Sequence, residues 1–199
     1  MSTADKFPDW FSMTAKPNFE QFLIPLAGVD NLRFLQLGAY TGDASVWLFE
    51  NVLTASTSRL SDVDTWKGSD EDVHKEMNFE DVYNTYLYKI DDYDKQVSIN
   101  RITTTEYLLG QYGCDRPLGE YFDFIYVDAD HTAASALIDG ELSWRLLRRG
   151  GLLAFDDYQW GAHLPASKSP KLGIDLFLER HAGEYEILEQ GLQVWLRKL

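Results

Sequence analysis

The chain has 199 residues, of which 45% are hydrophobic and 14% aromatic, and a formal net charge of −14. That is material for one domain with its own core. The surplus of carboxylates would repel a phosphate backbone or an anionic bilayer over most of the surface, so the expected partner is a small molecule, with no nucleic acid and no membrane. The opening segment MSTADKFPDWFSM lacks a basic head followed by an apolar run. No later stretch approaches the roughly 18 apolar residues of a membrane span, which leads us to expect a cytoplasmic protein. Cys114 is the only cysteine, so an intrachain disulfide and a thiolate metal cluster are both excluded and a bland, partly buried thiol is expected.

In chain order, residues 1–30 read as a helical extension or lid of a single domain spanning 1–199. Within it Asp9–Ala27 has helical character, and Trp10, Phe11, Phe19 and Phe22 suit either a lid packed on the core or the exposed face of a homodimer. Short apolar runs predict buried parallel strands at Leu32–Leu37, Leu60–Asp64, Gln96–Asn100, Phe122–Asp128 and Gly151–Phe155, since strands covered on both faces need not alternate. The polar stretch Thr54–Asp81 still carries Val63, Trp66, Val73 and Phe79 and reads as folded loop and helix. Thr132–Arg148 has apolar residues at roughly helical spacing, with Gly150-Gly151 expected to end the helix. Strand alternating with helix predicts a parallel sheet of an α/β fold. Lys171–Arg180 then reads as a helix, and Tyr185–Leu188 and Leu192–Leu196 as a hairpin around Gln190-Gly191 that adds an antiparallel edge.

Two places carry candidate chemistry. The run LRFLQLGAYTGDASVWLFENV passes from a strand through Gly38 and Gly42 into a helix, where an α/β sheet presents backbone N–H groups to a ligand. The glycine spacing is not that of a dinucleotide fingerprint, and a tight turn would explain the pair equally well. The next strand ends in Asp64, placed to bind ribose hydroxyls or to act as an ordinary turn or cap residue. Further on, FDFIYVDADH and GGLLAFDDYQW deliver Asp128, Asp130, Asp156 and Asp157 to neighbouring strand ends. Carboxylates converging in one crevice are costly unless protonated, paired or bound to a cation, and an oxygen-rich set favours Mg²⁺, Mn²⁺ or Ca²⁺ over zinc. A cap at Asp130 for the Thr132 helix, or a turn opened by Asp156 or Asp157, could explain any single one of these acids, but explains one better than all of them. His131 is a candidate base or orienting group and equally a first-turn helix residue facing solvent; His163, in WGAHLP, is a second candidate base. Trp160 and Tyr158 would wall a pocket or simply pack over the sheet edge.

These residues resemble the class I S-adenosylmethionine-dependent methyltransferases, and among them the small cation-dependent O-methyltransferases, from about Leu32 to Leu199. LQLGAYTGDAS resembles the first motif, DVDTW the acid ending the second strand, and FDFIYVDADHTAASALIDGELSWRLLRRGGLLAFDDYQW the fourth strand, helix and fifth strand. The resemblance implies a Rossmann-like fold: a mostly parallel seven-stranded sheet with a C-terminal antiparallel strand and helices on both faces. It implies S-adenosylmethionine as cofactor, with Gln36, Gly38, Ala39, Tyr40, Gly42, Asp64, Thr104, Thr105 and Asp128 around it. It also implies Mg²⁺ or another divalent cation on Asp128, Asp156 and Asp157, and Asp130 as general base, beside which His131 stays a candidate on its own chemistry. The chain departs from the pattern at Gln36, where the family carries an acid; the amide keeps hydrogen bonding but loses charge attraction to an ammonium group. Three alternatives stay open at this stage. One is a metal-independent methyltransferase using His131 or His163, another a non-catalytic binding domain hinted at by Gln36. The third is a nicotinamide dehydrogenase, which the glycine spacing disfavours.

Overall fold

The computed structural model describes residues 7–69, 72–112 and 120–199; the expectation for Cys114 falls outside them. Seven strands form one sheet in the order β3-β2-β1-β4-β5-β7-β6, where β1 is Arg33–Leu37, β2 Arg59–Val63, β3 Val97–Asn100, β4 Phe122–Val127, β5 Leu147–Phe155, β6 Tyr185–Gln190 and β7 Val194–Lys198. The first five pair in parallel, and β7 runs antiparallel to both β5 and β6. The hairpin read around Gln190-Gly191 is therefore present, with its second strand inserted next to β5. The sheet is the mostly parallel, Rossmann-like one expected.

Helices α1 (Lys16–Leu23), α2 (Asp43–Asn51), α3 (Asp72–Lys75), α4 (Phe79–Ile90), α5 (Thr104–Tyr112), α6 (Ala133–Leu146) and α7 (Pro170–Arg180) surround it. Alternate strand residues sort onto the two faces, as a pleat requires. Leu35, Leu37, Ile125, Val127, Leu153 and Phe155 pack against buried side chains of α5, α6 and α7. Phe34, Phe124, Tyr126, Leu152 and Ala154 pack against α1 and α2. Apolar runs without alternation are thus explained by two covered faces.

The helix read at Thr132–Arg148 is Ala133–Leu146, capped by the Thr132 side chain, which accepts the Ser135 N–H. Gly150-Gly151 do not end it. The chain turns extended at Leu147 and β5 begins there, with a register shift against β4 between Phe122 and Phe124. Gly150 lies inside that irregularity at φ 74°, a left-handed conformation that glycine adopts without a Cβ penalty. The pair marks a bulge in a strand, which composition alone does not separate from a helix stop.

At the N-terminal end, a π-helical turn Phe11–Ala15 runs directly into α1 and then a 3₁₀ turn Ile24–Leu26, one unbroken helical stretch. Phe19 is fully buried, edge-on to Trp47, Phe124, Tyr126 and Trp195 at centroid distances of 4.9–5.8 Å. The segment is packed on the core. No helix among the described residues is long and apolar enough to cross a membrane.

Candidate active site

Between β1 and β4 the strand order reverses direction, and such a point opens a crevice at the carboxyl ends of the strands. A cavity of about 950 Å³ occupies it. Its walls include Gln36, Gly38, Ala39, Tyr40, Asp64, Thr104, Thr105, Asp128, Asp130, His131, Asp156 and Asp157, so the structure brings together all but one of the residues assigned to the cofactor, the cation and the base. The exception is Gly42, which is not a wall residue; it caps α2 at φ 85°.

The loop after β1 is held tightly. The Gly38 N–H donates to the Val63 carbonyl at 2.8 Å, and the Asp128 N–H to the Leu37 carbonyl at 2.8 Å. At φ 90°, a Cβ on Gly38 would lie 1.7 Å from the Asp128 carbonyl oxygen. No side chain fits where β1 and β4 release their loops, so this glycine is required by close backbone approach. Asp64 fastens the same loop from β2. One carboxylate oxygen accepts the N–H groups of Ala39 (2.9 Å) and Tyr40 (3.0 Å), and the other accepts that of Trp66 (2.7 Å). The turn reading of Asp64 is what these bonds show, and the residue also lines the cavity.

Gln36 is buried, and its Nε2 donates to the Gly38 carbonyl at 2.9 Å. Behind it lies Asp62, fully buried on β2 in register with Gln36. One Asp62 oxygen accepts the hydroxyls of Ser45 (2.7 Å) and Tyr86 (2.8 Å). Its other oxygen has no hydrogen-bond partner. Burial pushes the Asp62 carboxyl up to about 7, against the lowering effect of its two hydroxyl partners. Thr104, at the start of α5, donates its hydroxyl to buried Asp139 at 2.8 Å, and burial likewise lifts Asp139 to about 7.

The acidic corner divides into three roles. Asp156 is locked: one oxygen accepts the Tyr126 hydroxyl and the other the Asp157 N–H at 2.9 Å. Burial first, then the Asp157 charge, raises its carboxyl to about 6. Asp128 keeps 33% of its side-chain exposure, at the cavity floor, and burial together with the Asp156 charge raises its carboxyl well above the usual range. Asp157 adopts φ 56° and meets His131 Nε2 at 2.9 Å. The same nitrogen is 3.8 Å from Asp128, and Trp160 packs on the His131 ring at 4.8 Å. His131 is thus turned into the site. Asp130 is the exposed member, accepting the Ser135 hydroxyl at 2.6 Å and the Thr132 N–H at 3.3 Å, which is the helix-cap chemistry weighed in sequence.

The aromatic and histidine expectations divide. Trp160 lines the cavity, whereas Tyr158 does not: it is buried, its hydroxyl donating to Asp175 and accepting from Lys171 and Gln190. His163 is exposed and is not a wall residue. Sequence reasoning missed Trp66, His74, Phe79 and Thr103, all wall residues, and the buried Asp62 and Asp139 behind the wall. Trp10 lies stacked on Tyr40 at 4.6 Å and lines the cavity with Phe11.

Residues 35–158, more than half of the chain, match the model of a family described as a methyltransferase domain. The chain belongs to that family. It is a class I S-adenosylmethionine-dependent methyltransferase. Among solved structures, an O-methyltransferase from Bacillus cereus in complex with SAH superposes with a TM-score of 0.62 at 18% identity, covering 92% of this chain and 81% of that one. An rRNA-methylase-like protein from Clostridium thermocellum gives 0.65 at 11% identity, covering 92% and 97%. A methyltransferase-like protein from Streptococcus mutans in complex with SAH gives 0.60 at 12%, again covering 92% and 97%. At these identities the three show a shared fold. No curated protein matches the sequence.

Proposed function

We propose that this methyltransferase transfers the methyl group of S-adenosylmethionine to a hydroxyl of a small molecule, with a divalent cation in the acidic corner. The observation that carries the reading is the single cavity joining the Gly38–Tyr40 loop to Asp128, His131 and Asp157. Its volume of about 950 Å³ leaves room for a second small molecule beside a cofactor. The net charge of −14 disfavours a nucleic acid as acceptor. The Bacillus cereus neighbour's O-methyltransferase activity and the two SAH complexes accord with this reading.

The residues present fit a cation: Asp128, His131 and Asp157 offer donor atoms that lie within 4.8 Å of one another. When bound there, a divalent cation would lower the pKa of an acceptor hydroxyl and orient its oxygen. The chain's own side chains do the rest. The Gly38–Tyr40 loop, fastened by Asp64 and the Val63 carbonyl, walls the cofactor end, Thr104 and Thr105 border the adenine side, and the aromatic walls keep water out. The acceptor hydroxyl gives its proton to Asp130 or His131. Its oxygen forms a bond to the methyl carbon as the carbon–sulfur bond breaks, and the positively charged sulfonium becomes a neutral thioether. Holding the two reactants in line supplies most of the acceleration.

The test is the Asp128→Asn variant, assayed against a panel of hydroxylated acceptors with and without chelator. The expected result is loss of methyl transfer with SAH binding kept. Full turnover by the variant in chelator would overturn the cation's part.

A further inference from the structure

Asp139 is a buried acid that the methyl transfer itself does not use. It lies on α6 with 2% of its surface exposed, a costly place for a charge unless a hydrogen bond is made there. The bond it makes leads to the cavity. The Thr104 hydroxyl, at the first residue of α5, donates to Asp139 Oδ1 at 2.8 Å, and Thr104 is a wall residue. A threonine hydroxyl has one hydrogen and two lone pairs. With its hydrogen held by a carboxylate behind the wall, Thr104 offers the cavity an acceptor and no donor. Burial lifts Asp139 to about 7, so at pH 8 it is ionised and has no proton to return.

An acceptor at that place selects the group it faces. The cavity runs from the acidic corner past the Gly38–Tyr40 loop and Asp64 to Thr103–Thr105, which follow β3. A methyl group delivered at the acidic corner leaves the β3 end for the cofactor's purine. The purine of S-adenosylmethionine carries an amino group at C6, which is a donor; a 6-oxo purine carries an acceptor there. We propose that Thr104 recognises the cofactor's purine through its 6-amino group, and that Asp139, which touches no ligand, is the positioning residue that fixes the Thr104 hydroxyl as an acceptor. Two acceptors set against each other away from water are both left unpaired, which costs more than a good bond gains. The proposal rests on the methyltransferase reading of the cavity and adds to it the atom by which the base is chosen.

The experiment is calorimetric titration of the full chain at pH 8 with SAH and with S-inosylhomocysteine, whose purine carries an oxo group in place of the 6-amino group. Thermal unfolding checks that each variant is folded. Expected in the wild type is a preference for SAH of about tenfold or more. Thr104→Val and Asp139→Leu should each bring the two affinities to within about threefold of one another. Asp139→Asn, whose amide oxygen still accepts the Thr104 proton, should keep the preference. A merely structural Asp139 would shift both affinities together and leave their ratio alone. A smaller preference in the wild type, or one that survives in Thr104→Val, would overturn the proposal. A preference lost in Thr104→Val but kept in Asp139→Leu would overturn the part given to Asp139, and Thr104→Val carries the test if Asp139→Leu does not fold. Wild-type protein that binds neither compound would overturn the reading of the cavity itself, a result distinct from equal binding of both.

Discussion

Asp62 provides a prediction that can be worked through in numbers. It is fully buried between β1, α2 and α4, with one oxygen bonded to Ser45 and Tyr86 and the other unpartnered. Its carboxyl is lifted to about 7 by burial, with a smaller push from the Asp64 charge. An unfolded chain gives up this proton near pH 3.9, so between about pH 4 and 7 the unfolded state ionises while the folded state does not. The stability contributed by Asp62 is complete below the unfolded pKa, falls as pH rises through that window, and is level above the folded pKa. At about 1.4 kcal/mol per pH unit, the loss between pH 5 and pH 8 comes to roughly 2.5 kcal/mol. Asp62→Asn removes the titration and keeps an acceptor for both hydroxyls. Urea unfolding of both proteins at pH 5 and pH 8 should show the variant gaining about 2.5 kcal/mol on the wild type over that interval. A stability difference independent of pH would refute the argument that burial keeps this carboxyl protonated.

Three further outcomes are expected. Gly38→Ala places a Cβ 1.7 Å from the Asp128 carbonyl oxygen, so it should cost about 3 kcal/mol or more in denaturant unfolding and abolish SAH binding. A well-folded variant with unchanged affinity would contradict the close approach. Asp64→Asn leaves one side-chain oxygen for three N–H groups and should weaken SAH binding by about tenfold or more, seen by calorimetry. Phe19→Ala should lower stability by about 3–5 kcal/mol at any protein concentration. A small loss, or one that depends on concentration, would mean that Phe19 serves an interface between copies of the chain.

Much of the scaffold was legible because two covered sheet faces leave apolar runs such as FDFIYV, and glycine-bearing turns separate them from amphipathic helices. The five parallel strands and the final hairpin lie within a few residues of where these patterns put them. The helix stop at Gly150-Gly151 was misplaced because a glycine pair serves a bulge as readily as a C-cap, and only the pairing partner distinguishes the two. Asp128, Asp130, His131, Asp156 and Asp157 were found because all follow strand ends, yet their division of labour was not visible. That Asp156 is tied down while His131 turns inward depends on Tyr126 and Trp160, which reach the corner through the fold. Asp62 and Asp139 carry no local signal at all: each sits inside an ordinary strand or helix, and its environment is made by residues 17–35 positions away. Gln36 departs from the acid expected at its position, and the amide instead closes on the Gly38 carbonyl beside a buried carboxyl in the neighbouring strand.

The measurement that bears most directly on the account is calorimetric titration of the purified chain with S-adenosylhomocysteine, alone and with S-adenosylmethionine in competition. The account predicts saturable binding at one site per chain, lost in Gly38→Ala and competed by S-adenosylmethionine. Absence of binding by the folded wild-type protein, with and without added divalent cation, would contradict it and leave a methyltransferase fold that has given up its cofactor.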